Sequence, residues 1–94
     1  MEELPAIELL ESTHRFPGRY MIKAIGRAER GFAARVVAAV REELAEAIDP
    51  PFRTRETAGG RHVSVTVEPT VQTAQQVIAV YRRIQRITGL VLLW

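Results

Sequence analysis

The sequence predicts an α+β fold: a two-layer sandwich with a four-stranded antiparallel sheet, two helices on one face and a short helix in front. Three observations predict it. The stretch "HVSVTVE" (62–68) alternates with a period of two, and "FAARVVAAVREEL" (32–44) repeats apolar residues at helical spacing. Gly59 and Gly60 separate two extended arms, and a glycine pair supplies the positive φ angles that hairpin turns require.

The elements follow in order. "LPAIELLES" reads as a short helix, with Pro5 in its first turn and Leu4, Ile7 and Leu10 at helical spacing. "THRFPG" breaks it, because the residue before Pro17 disfavours helix and Gly18 follows. "RYMIKAI" (19–25) reads as a strand that Gly26 ends, with Tyr20, Ile22 and Ala24 on one face and Met21, Lys23 and Ile25 on the other. "AERGFAARVVAAVREELAEAI" (28–48) is the long helix. Its stripe is Phe32, Val36, Val40, Leu44 and Ile48, widened by Ala33 and Val37, and Asp49-Pro50-Pro51 ends it.

Residues 52–58 and 61–69 form the hairpin, with Val63, Val65 and Val67 inward and His62, Ser64, Thr66 and Glu68 outward. Thr70 is the expected N-cap of the last helix, whose stripe is Ala74, Val77, Ile78, Tyr81 and Ile84. Arg82, Arg83 and Arg86 complement the dipole at its end. Gly89 ends it, and "LVLLW" is a final strand with Leu90, Leu92 and Trp94 inward. The order β-α-β-β-α-β with right-handed crossovers puts both helices on one face, a ferredoxin-like sandwich. Residues 1–94 form a single domain, since so short a chain cannot build two cores.

Composition narrows the chemistry. The chain has no cysteine, which excludes disulfides, thiolate metal sites and thiol nucleophiles, and fits a cytoplasmic location. Thirteen cations, twelve of them arginine, face eleven acids, for a net charge of +2. The arginines of the helices are dispersed rather than gathered into the basic stripe of a dedicated nucleic-acid binder. The acidic N-terminal segment is not a secretory leader, and no apolar run is long enough to span a bilayer.

Two regions are candidate sites. The outward sheet face carries Met21, Ile25, Val91 and Leu93, an apolar set that marks an interface with another copy, a protein partner or the N-terminal helix. The turn between first strand and long helix carries Gly26, Arg27, Arg30 and Gly31, where guanidinium forks could meet an anionic small ligand. No catalytic set, metal site or cofactor is expected. His14 and His62 are the only histidines, Asp49 the only aspartate, and there is no asparagine for an acylphosphatase-like hydrolase. Nucleic-acid binding is a minor alternative. A base-stacking sheet of the RRM kind needs aromatic residues outward on its two central strands, and the reading gives Ser64 and Thr66 outward and Tyr20 inward.

The layout resembles the YbeD-like family of small bacterial proteins of uncharacterised function. The resemblance runs over residues 7–94 and rests on "ELLE" before "FPGRYMIKAIG", the long helix, and "HVSVTVEPTVQTAQQVIAVYRRI" before an apolar last strand. Phe16-Pro17, Lys23, Gly26 and His62 to Val67 stand at the places of the family's motifs. The longer connection around "EAIDPPF" and the tryptophan at position 94 depart from it. The resemblance implies a ferredoxin-like sandwich similar to ACT-type domains, which bind small ligands between paired sheets, and it implies no enzyme activity.

Overall fold

In the computed structural model, which describes residues 4–94, helix α1 (Ile7–Thr13) leads into a short strand β1 (Gly18–Arg19) and then β2 (Ile22–Arg27). Helix α2 (Phe32–Glu43), the hairpin β3 (Phe52–Glu56) and β4 (His62–Val67), β5 (Thr70–Val71), α3 (Ala74–Gln85) and β6 (Leu90–Leu93) follow. The fold is α+β. Its main sheet has the order β3-β4-β2-β6 with every neighbour antiparallel, and β1 and β5 pair separately. Met1, Glu2 and Glu3, part of the acidic start read above, lie outside the described residues.

The alternation of β4 does what its pattern predicts. Val63, Val65 and Val67 are buried and meet Ile22 and Ala24 of β2 in one apolar cluster with Phe32, Val36, Val37 and Val40 of α2 and Val77, Val80 and Ile84 of α3. Gly26 does not end β2 but lies inside it. A Cβ placed there would stand 2.4 Å from the Phe32 ring, so the missing side chain is what lets that ring dock. Between β1 and β2, Tyr20 turns into the interior, and its hydroxyl lies 3.4 Å from that of Tyr81.

The long helix is shorter than its apolar stripe suggests. It closes on Ala45, which adopts a left-handed φ of 53°. The Ala45 N–H donates to the Glu42 carbonyl at 3.2 Å and the Glu46 N–H to the Arg41 carbonyl at 3.0 Å, the double bond of a Schellman ending. Glycine is the usual residue there, so alanine hid the stop, and Ile48 stands outside the helix at 78% exposure. An ion pair from Arg41 to Asp49 at 2.6 Å ties the return to the helix.

Three further expectations shift. The cap of α3 is Thr73 rather than Thr70. Its Oγ1 accepts from the Gln76 N–H at 3.2 Å, while Gln76 Oε1 accepts from the Gln72 N–H at 2.7 Å, a capping box displaced by one residue. Thr70 joins β5 instead. The N-terminal helix packs against α3 and buries Leu10 in the core, so the open sheet face is not where it lies. Leu90 packs against the core as expected, but beyond it the phase of β6 is reversed: Leu93 is 5% exposed and in the core, while Leu92 and Trp94 are 42% and 51% exposed. The cause is an irregularity opposite Ile25 and Gly26. The partners run Ala24–Leu93, Ile25–Leu92 and Gly26–Leu90, so Val91 is the extra residue of a bulge.

Candidate functional site

The face of the sheet turned away from the core cluster is built row by row from the strand register. Residues directly opposite across a ladder share a face. One row reads Arg53, Thr66, Lys23, Trp94: Arg53 and Lys23 both oppose Thr66, and Lys23 exchanges backbone bonds with Trp94 at 2.8 and 2.9 Å. The next reads Arg55, Ser64, Ile25, Leu92. The last places Arg27 opposite His62.

The face therefore has two halves. Along β3, β4 and the start of β2 it is cationic and hydroxylated, with a groove of about 410 Å³ lined by Lys23, Arg53, Thr54, Arg55, Ser64 and Thr66. Along β6 it is apolar, where Leu92, Trp94 and the bulge residue Val91 are exposed and Ile25 half-buried. Met21, just before β2, is 48% exposed.

Charge balance within the groove is uneven. Arg53 reaches Glu68 at 3.5 Å, while neither Lys23 nor Arg55 takes part in any of the ion pairs among the described residues. Thr66 is only 5% exposed although it faces outward, flanked on both sides by long cationic side chains. None of the side-chain hydrogen bonds among the described residues uses the Ser64 or Thr66 hydroxyl.

The residues singled out from the sequence fall out differently. Gly26 is spent on the Phe32 contact. Arg30 and Gly31 form a left-handed pair, with φ of 54° and 65°, at the entry to α2, and the Arg30 carbonyl accepts from Arg35 Nε at 3.0 Å. Arg27 lines a hollow of about 300 Å³ with Glu29 and residues 88–91. Of the interface set, Met21, Ile25 and Val91 remain at the surface, and Leu93 is corrected into the core by the bulge.

Sequence reasoning set the hairpin's charged residues beside this face without singling out Arg53 and Arg55, and it turned Leu92 and Trp94 inward. The β3 arm has no apolar alternation to phase it, and only pairing with β4 assigns its arginines to a face. His14 Nδ1 lies 3.0 Å from Thr13 Oγ1, and its ring packs 4.8 Å from that of Tyr20. Burial, helped by the Tyr20 hydroxyl, pushes the Tyr81 phenol well above its ordinary range. No group of three metal-ligating side chains occurs among the described residues. No helix among them is long and apolar enough to cross a membrane.

These features define a small α+β protein with one sheet face covered by helices and the other bare. A family model described as a protein of unknown function, DUF493, matches residues 11–93, and the chain belongs to that family, the one its YbeD-like motifs point to. It is similar to the UPF0250 protein RSc0326 of Ralstonia nicotianae, with 29% identity over 85 residues, covering 85% of this chain and 82% of the relative.

Proposed function

We propose that this protein is a non-catalytic interaction module of the ferredoxin-like, ACT-type kind, whose working surface is the bare sheet face. The ferredoxin-like reading rests on the order β3-β4-β2-β6 with a helix after β2 and another after β4. One observation carries the functional reading. Leu92, Trp94, Val91 and Ile25 form an apolar strip on a sheet face that α1, α2 and α3 all leave uncovered. Exposed apolar strips bordered by charge mark association surfaces. A second copy is the first partner the reading assigns, as in ACT-type pairing, and the polar half stays accessible for a small ligand.

The turn from Gly26 to Gly31 is the weaker of the two sequence-derived sites, because its glycines serve helix entry and the Phe32 contact. Sedimentation velocity over a range of concentrations tests the proposal. Wild type is expected to associate as concentration rises, and Ile25→Glu is expected to remain monomeric. Identical monomeric behaviour of both, up to high concentration, would overturn the self-pairing reading.

A further inference from the structure

We infer that the cationic half of the bare face is a nucleotide-binding site: Lys23, Arg53, Arg55 and the Ser64 and Thr66 hydroxyls hold a phosphate, and Trp94 stacks the base. The inference rests on the reading of this face as the working surface and names a ligand class for it.

Four observations carry it. First, three cations converge on one groove, and among the described residues the one carboxylate paired with any of them, Glu68, sits at a long 3.5 Å from Arg53. A phosphate oxygen offers those guanidinium groups a better-matched, charge-assisted partner. Second, Thr66 lines the groove, and its hydroxyl, which is not a buried unpartnered group, makes no side-chain hydrogen bond among the described residues. A hydroxyl open to the groove can donate to an anion, and Ser64, half-buried, offers a second one two residues along the same strand. Third, the groove volume of about 410 Å³ lies within the range of small-molecule sites, roughly 300–1,000 Å³.

The fourth is Trp94. It is the neighbour of Lys23 in the same row, two strand spacings, about 10 Å, from Thr66. Cations that follow a phosphate beside an aromatic plane that accepts a base are the two parts of nucleotide recognition without sequence preference. The reversed phase of β6 turns an aromatic residue outward, on the edge strand beside the central pair rather than on the central strands themselves. A free nucleotide and a nucleotide within a single strand present this same chemistry.

Trp94 is the one tryptophan of the chain, so its emission reports on the site directly. The full chain is titrated in low salt with inorganic phosphate, ATP and a twelve-residue oligothymidylate. Saturable quenching by ATP or by the oligonucleotide is expected, with phosphate competing but quenching little. Preference for ATP assigns a free nucleotide, and preference for the oligonucleotide assigns a strand. Arg53→Glu combined with Arg55→Glu is expected to weaken binding by at least about tenfold. Both residues are exposed on an edge strand, and circular dichroism confirms that the variant folds. Thr66→Val, which keeps side-chain shape, is expected to weaken binding, while Arg82→Glu on α3 leaves it unchanged.

Absence of quenching by either nucleotide probe overturns the assignment. So does a double reversal that folds and binds like wild type, or phosphate binding as tightly as ATP without a fluorescence change. Trp94 belongs to both readings, so the titration is run at protein concentrations where sedimentation gives a monomer; there, loss of self-association in Ile25→Glu bears on the pairing reading alone, and failure of one does not imply failure of the other.

Discussion

Ile22, Ala24, Val65 and Val67 have no accessible surface, yet their immediate neighbours Lys23, Ile25, Ser64 and Thr66 face the other way, onto a surface no helix covers. The two faces of one sheet are thus made by alternate residues of the same strands. On the covered face a side chain is judged by how well it fills space between strands and helices. On the bare face it is judged by what it offers to a partner, and most single changes there leave folding alone. One residue of register separates the two roles, which is why the bulge at Val91 moves Leu93 into the core and brings Leu92 and Trp94 out.

The contrast is sharpest at Phe32. It is 1% exposed, and its ring fills the space that Gly26 leaves. Phe32→Ala is expected to destabilise by about 3–5 kcal/mol, measured by urea denaturation. Gly26→Ala on its own should cost about 1–3 kcal/mol through crowding. That penalty should shrink in the Phe32→Ala background, where the ring is gone, and an additive double variant would break the account of Gly26.

Tyr81 extends the covered face toward α1. Its phenol is held neutral by burial first and by the Tyr20 hydroxyl second. Because its folded pKa is raised, its contribution to stability is complete below the unfolded value of 10.0 and falls as pH climbs above it, since only the unfolded chain then readily gives up the proton. Denaturation midpoints at pH 8 and pH 11 should therefore differ more for wild type than for Tyr81→Phe.

Smaller effects lie away from both faces. Ala45→Gly removes the strain of a left-handed alanine at the end of α2 and is expected to stabilise by about 1 kcal/mol. On the bare face, Arg53→Ala should change stability by no more than about 0.5 kcal/mol. A larger loss would mean that the cationic groove is part of the folding framework.

Much of the covered face is legible in the sequence because apolar period and secondary structure agree there. Val63, Val65 and Val67 alternate, and Val36, Val40, Val77 and Ile84 recur at helical spacing. The errors occur where a local signal was missing. Ala45 stops a helix without a glycine, and Thr73 takes the cap three residues after an equally good Thr70. "LVLLW" is apolar at every position, so its pattern holds no information about which side faces in. The bare face was harder still. Arg53 and Arg55 join Lys23, Ser64 and Thr66 only through pairing of β3 with β4 and β4 with β2, contacts that no local window of sequence contains.

The contrast between the faces is tested most directly at adjacent positions of β6. The chain has no native cysteine, so a single introduced thiol reports on its own position. Leu92→Cys and Leu93→Cys are each exposed to a thiol-reactive dye under native conditions. At protein concentrations where the chain is monomeric, position 92 should label readily and position 93 should be strongly protected. Fast labelling at 93 with protection at 92 would contradict the bulge, the bare face and the site built on it.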